Sequence, residues 1–483
     1  MNMMHRRKSA LLMPAGVLLA NVLNMVGIVV LPKLVDPHEF ALFSLASSLG
    51  LLLVSIFYEW SRGAIVRYSV AADPAETDRR RAILRRANTV TSILLLSVAA
   101  VCWGFGSNRY ALIVSMACLF AVSQALFEAR QALFRADFHD VRYAASLVAR
   151  AFAGLMFMCA VAFWTNSGFL VMCAWAFSFV IVLFTVGQIV GVKKPKAEMD
   201  WSTFRFLFVF GIGITLSAIA TAALQPLVRL LAPEFVSLTD SGKLVLAMDI
   251  SQKIIGVIGV SINVITLQAT IRARELGEEA IMLQRTGMQL SVVLAVLVPT
   301  VLGFLMIKPE FTSIFVPEVY RDVFSPNVGW CMLAAGILGF RAFALDTIFV
   351  VLGRPYLGLI GPLTTMGATL IATYLLLLRY GPDPVVFSQG FFVGVTIGAT
   401  VSFSVARYSC QFPIEWGNYA KIALSALLMS VVLSLCIFKS DLIRIVVSVL
   451  VGGGSYFAGL LAMDAMGLRQ TVRWFLAKSE GAG

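Results

Sequence analysis

Arg150, Asp249, Lys253, Arg341 and Asp346 stand inside stretches of the chain that are otherwise apolar. A charge at the centre of a bilayer costs about 2.5–3.5 kcal/mol on insertion scales, so each of these needs a partner or a task. Arg341 lies near the middle of the apolar stretch 328–350, too deep for its side chain to snorkel to either interface. Its guanidinium carries two parallel donors matched to phosphate oxygens. The nearest acid, Asp346, is five residues on, about 140° round an α-helix and outside i,i+4 reach. That leaves two roles for Arg341: a pair with an acid on another helix, or a cation facing a cavity. Asp249 and Lys253 are four residues apart and share a helix face, where they form a paired hydrophilic patch or a pair that a substrate or proton displaces. Arg150 lies two turns inside the predicted helix 143–164 and either snorkels or enters an inward-open cavity. Glu59 precedes Arg62 by three residues as an end-of-helix ion pair, and Lys33, Arg229 and Arg444 read as interface anchors.

Residues for bond-making chemistry are scarce. The three histidines, His5, His38 and His139, fall in a terminus and in loops, and no HExxH, Walker loop, Cys/His arrangement or paired-carboxylate motif is present. The seven cysteines show no CxxC spacing and no neighbouring histidines. A non-enzyme with no catalytic residue, no metal and no cofactor is therefore expected.

The elements that hold these charges must be membrane helices. Of 483 residues, 59% are hydrophobic and 13% charged, more apolar than a soluble surface allows. The apolar residues form blocks of about 20, the length a helix needs to cross hydrocarbon, without the alternation of a β-barrel. The basic start Arg6-Arg7-Lys8 leads into a stretch, Ala10–Leu31, with no cleavage site near its end, and is predicted to open the first span. About fourteen spans follow from the blocks, at 10–31, 40–60, 88–106, 111–130, 143–164, 167–190, 205–231, 244–268, 286–307, 328–350, 356–378, 385–406, 419–438 and 442–463. With the N-terminus inside, 26 of the 38 Lys and Arg residues fall in cytoplasmic segments and eight in the opposite loops. This asymmetry places both termini in the cytoplasm and turns the basic loops toward anionic membrane lipids. It also accounts for the net charge of +12, which on that distribution signals topology and not nucleic acid. No loop exceeds about 27 residues, so there is no room for a separate soluble domain.

A weak internal repeat runs through the pattern. Leu31-Pro32-Lys33 through Phe40 ends the first predicted helix much as Gln225-Pro226 through Phe235 ends the seventh, each with proline, a cation and a Pro-Glu-Phe-like turn. Arg135–Tyr143 after the fourth is echoed by Val351–Tyr356 after the tenth. Two six-helix lobes are the expected organisation, 1–190 and 191–406, with two further helices and a cytoplasmic tail in 407–483.

On the exit Arg62-Gly63-Ala64-Ile65-Val66-Arg67, the Pro then Glu-Phe turn, the turn with Arg142 and the fourteen helices, the chain resembles the oligosaccharide flippases of the multidrug/oligosaccharidyl-lipid/polysaccharide exporter superfamily. The resemblance covers nearly the whole chain. It implies translocation of a polyprenyl-pyrophosphate-linked oligosaccharide, an O-antigen or exopolysaccharide unit, across the cell inner membrane by alternating access. It also implies a polysaccharide polymerase and chain-length machinery as partners. On that resemblance the substrate-binding candidates are Arg341, Lys253, Arg150 and Asp249. Peptidoglycan-precursor flippases differ in carrying arginines within helix 1, where this chain has Asn21 and Asn24. The alternatives are an ion-coupled drug exporter of the same superfamily and a membrane-embedded glycan polymerase or glycosyltransferase, the latter at odds with the short loops.

Overall fold

The computed structural model describes residues 3–68, 74–105, 108–137, 139–188, 200–436 and 440–470. The loop lysines Lys193, Lys194, Lys196 and Lys439, with Arg473 and Lys478 of the tail, lie outside the described residues. All regular structure among the described residues is helical: α1 (Met3–Val30), α2 (Pro37–Phe57), α3 (Glu59–Tyr68), α4 (Pro74–Gly104), α5 (Arg109–Ala136), α6 (Asp140–Thr165), α7 (Gly168–Gln188), α8 (Trp201–Leu231), α9 (Leu238–Glu275), α10 (Glu279–Phe315), α11 (Glu318–Phe340), α12 (Asp346–Val351), α13 (Ile360–Tyr380), α14 (Pro384–Ser409), α15 (Trp416–Leu435) and α16 (Asp441–Ala462). Among the described residues, twelve candidate spans are long and apolar enough to cross a membrane. Helices α8 and α9, of 31 and 38 residues, take the places of the seventh and eighth predicted spans. Helix is forced by the solvent, because in hydrocarbon each backbone N–H must find its carbonyl within its own segment. The chain is a multi-pass membrane protein.

It divides into two compact units, Met1–Leu246 and Ala247–Gly483. In the first, Leu45 on α2, Phe120 and Phe127 on α5, and Met172 and Phe179 on α7 form a buried cluster. The Phe120 and Trp175 rings lie 4.5 Å apart. Helix α8 packs on α3, where Gly211 leaves no space for a side chain above the Trp60 backbone. At its start Asp200 caps α8, and hydrogen bonds from Thr203 and Ser202 hold that carboxyl down to about 2. Arg229, expected as an interface anchor, is buried at 3% exposure. It donates to Ser44 Oγ at 2.7 Å and Ser48 Oγ at 2.6 Å, tying α8 to α2. Two hydroxyls four residues apart on α2 make a polar slot that a cation near a helix end fills more favourably than lipid headgroups would.

The second unit contains two interlocked helix pairs. On α14, Gly390, Gly394 and Gly398 repeat every four residues; on α13, Thr373, Thr369 and Thr365 do the same in the opposite direction. A methyl group at each glycine would overlap the hydroxyl of the facing threonine, so these helices touch backbone to side chain. Helix α10 holds the C-terminal pair α15 and α16 through a defect of its own. Pro299 has no N–H to give the carbonyl four residues back, and the Tyr456 hydroxyl of α16 donates to that Ala295 carbonyl at 2.6 Å. Arg444 of α16 pairs with the buried Glu310 of α10 at 2.6 Å.

Two pairs of turns close with the same backbone hydrogen-bond offsets. Their register is another than that of the repeat read from the sequence, which set Pro32 against Pro226, a residue inside α8. Leu34 and Val35 N–H both bond the Leu31 carbonyl, and Phe235 and Val236 N–H both bond that of Ala232. Asp137 N–H bonds Leu133 and His139 bonds Phe134, as Leu352 bonds Ile348 and Arg354 bonds Phe349. Each related pair of turns therefore closes with the same offsets.

Candidate functional site

The tenth predicted span is longer than its apolar block, running from Glu318 to Val351, and it is not a continuous α-helix. Residues Arg341–Leu345 form a π turn in which the Asp346 N–H bonds the Arg341 carbonyl, five residues back. An i→i+5 turn sets residue i+5 almost above residue i. Asp346, expected on the far side of an α-helix, therefore comes within 3.4 Å of Arg341 Nε as an ion pair. The sequence-based separation of these two residues is corrected by this one widened turn.

Arg341 has 0% exposure. Its Nη1 donates to Thr365 Oγ1 on α13 at 2.9 Å, and that hydroxyl donates in turn to the Gly361 carbonyl at 2.9 Å. Gly361 has no Cβ because Ser402 Oγ of α14 and the Arg341 side chain occupy its place. The threonine and glycine stripes thus bring α13 and α14 close enough to hold the guanidinium. The widened turn is satisfied from outside: Gln289 of α10, 3% exposed, donates to the Phe343 carbonyl at 2.9 Å and to Thr347 Oγ1 at 3.1 Å. Thr347 donates to the Ala344 carbonyl at 2.8 Å. Arg341 Nη2, Asp346 Oδ1 and Ser402 Oγ have no hydrogen-bond partner among the described residues. On α9, Phe343 of the π turn presses its ring into the space above Gly259. Asp249 and Lys253 lie on α9 as well, Asp249 half-buried and Lys253 exposed.

Arg150 belongs to the first unit and is half-buried. Its Nη1 donates to Asn24 Oδ1 of α1 at 3.3 Å, and its guanidinium lies 4.8 Å from the Phe179 ring centre on α7. In the same unit Arg62 of α3 bridges two acids, Glu59 at 2.7 Å and Glu128 of α5 at 3.2 Å, beside a pocket lined by Tyr58, Ser61 and Ala125. Glu59–Arg62 is the expected helix-end pair, with Glu128 as a second acid. The four sequence candidates thus fall in two units, Arg150 in the first and Asp249, Lys253 and Arg341 in the second. Thr365, Gln289 and Glu128 were not singled out from the sequence. Their signal was present all the same, as polar side chains inside apolar helices.

Scans against protein-family models and against curated proteins return no match. Solved structures do match. A lipid II flippase MurJ in an inward closed conformation is 14% identical, covering 94% of this chain and 99% of its own, with a TM-score of 0.74. The chain shares its fold with that structure. A MATE multidrug resistance transporter of the MOP superfamily, inward-facing, is 15% identical over 83% of this chain and 93% of its own, with a TM-score of 0.56. A MOP superfamily transporter from Pyrococcus furiosus, noted for the reversed polarity of its binding pocket, is 13% identical over 84% of this chain and 96% of its own, with a TM-score of 0.52. The shared fold agrees with the all-helical membrane fold class read from the sequence.

Proposed function

We propose that the protein is a flippase that carries a polyprenyl-pyrophosphate-linked oligosaccharide from the cytoplasmic to the outer leaflet of the cell inner membrane by alternating access. The observation that carries this is a wholly enclosed arginine inside a membrane-spanning segment, in a chain that shares its fold, almost end to end, with a lipid II flippase. An enclosed guanidinium is costly in hydrocarbon, and a diphosphate is the ligand whose oxygens match its planar fork. Arg341, Arg150 and Lys253 would supply positive charge to the headgroup and Asp249 would balance Lys253, while the prenyl tail stays in lipid. Both termini are cytoplasmic in this account. The chain reads as lobes 1–190 and 191–406 with the added helices of 407–483, and its partners are a polysaccharide polymerase and chain-length machinery.

The alternative is an ion-coupled drug exporter, favoured by the multidrug transporters among the structural neighbours. Against it stands the balance of charge away from the ends of the predicted spans, three cations, Arg150, Lys253 and Arg341, to two acids, Asp249 and Asp346, where a cationic drug would call for the reverse.

The test uses purified protein in liposomes loaded with a fluorescent polyprenyl-diphosphate oligosaccharide. An impermeant quencher should reach only the outer leaflet in empty vesicles and nearly all the label in vesicles holding the protein. Equal protection in both, with efflux of a lipophilic cation, would replace the flippase by the drug exporter.

A further inference from the structure

A buried ion pair kept only to hold helices together is expected to have its donors and acceptors satisfied, because each unmet group in low dielectric costs free energy. The Arg341–Asp346 pair departs from that. Arg341 Nη2, Asp346 Oδ1 and the adjacent Ser402 Oγ are buried without partners among the described residues, although Arg341 is fully enclosed. The pair also exists only through the π turn, since in an uninterrupted α-helix the two side chains diverge. The π turn in turn depends on Gln289, which reaches from α10 to the Phe343 carbonyl that the wide turn leaves open. A widened turn admits a second register. With the extra residue absorbed at Arg341–Leu345, the cation is folded onto its own helix. If the extra residue moves along the helix, the segment before it turns by about 100° relative to the segment after it, and Arg341 leaves Asp346.

We propose that Arg341–Leu345 is a two-register segment in which Asp346 and Gln289 are positioning residues: they hold Arg341 shut in the π register, and the α register frees its guanidinium for a diphosphate. This rests on the flippase account above and adds to it a device that withholds the binding cation until ligand competes for it. Binding to a state that is only fractionally populated is weakened by that fraction. Loosening the shut register must therefore tighten diphosphate binding, the opposite of what loss of a merely structural pair would do. Asp346→Asn removes the competing anion, and Gln289→Leu removes the support of the wide turn without touching Arg341.

The experiment measures binding of farnesyl diphosphate, inorganic pyrophosphate and farnesol to the full chain in lipid nanodiscs, each variant matched for folded amount. The expected result is a gain of about tenfold in diphosphate affinity for Asp346→Asn and for Gln289→Leu, cancelled in both when Arg341→Gln is added. A gain for both diphosphates identifies the diphosphate as what the freed arginine reads; a gain for farnesyl diphosphate alone ties it to the lipid-linked form; farnesol should bind all variants alike. Unchanged or weaker affinity in both well-folded variants overturns the two-register segment while leaving the flippase standing, provided the wild type binds diphosphate. Absence of diphosphate binding in the wild type and every variant overturns the flippase account and the segment together. Amide hydrogen exchange at 341–347 gives a readout apart from affinity. It should quicken in Gln289→Leu and slow when farnesyl diphosphate binds, and an identical exchange pattern in all states would contradict the proposal.

Discussion

Arg341 and Arg229 are both buried charges, and each meets its need in a different way. Arg341 was legible in the sequence as a cation too deep to reach water, but its partner was not. Five residues is the wrong spacing in an α-helix, and nothing in Arg-Ala-Phe-Ala-Leu announces a π turn whose support, Gln289, is more than fifty residues away. Arg229 was misplaced for the opposite reason. Its position near a helix end suggested snorkelling, whereas Ser44 and Ser48, distant in sequence, give it a buried slot. Replacing both serines by alanine removes two acceptors from a charge at 3% exposure and should destabilise the fold by about 2–4 kcal/mol. Arg229→Met, which removes the charge together with its need, should cost clearly less. Thermal unfolding followed by tryptophan fluorescence in detergent would rank the variants, and a costlier Arg229→Met would show that the serines are not what holds it.

At the scale of elements, apolar blocks announce helices well because hydrocarbon admits little else, yet they say nothing about how helices are joined. The glycine and threonine stripes of α14 and α13 are visible as four-residue repeats, but only the fold shows that they face each other and so place Thr365 under Arg341. The docking of α16 on α10 depends on a missing hydrogen bond. Tyr456→Phe should leave the Ala295 carbonyl unmet and cost about 1–2 kcal/mol. In a Pro299→Ala background the same change should cost less than half as much, because the substituted alanine then supplies the absent N–H. A double-mutant cycle on unfolding midpoints measures this, and equal costs in the two backgrounds would mean that the proline vacancy is not what Tyr456 fills.

For the whole molecule, the turns at Leu31 and Ala232, and again at Leu133 and Ile348, close with the same backbone hydrogen bonds, in a register the sequence echo did not indicate. The positive-inside count adds an orientation that the fold alone does not carry. Val319, 63% exposed at the start of α11, should face outward, and Leu276, 64% exposed after α9, should face the cytoplasm. In a version without native cysteines, Val319→Cys should react with an impermeant maleimide in intact cells and Leu276→Cys only after permeabilisation; the reverse pattern would invert the topology.

The central claim is that Arg341 holds a diphosphate during translocation, and flipping per folded molecule tests it most directly. In liposomes carrying equal amounts of membrane-inserted protein, Arg341→Gln should abolish movement of the labelled polyprenyl-diphosphate oligosaccharide. Arg341→Lys, which keeps the charge and loses the planar fork, should retain a part of it. Unimpaired flipping by a well-folded Arg341→Gln protein would contradict the account.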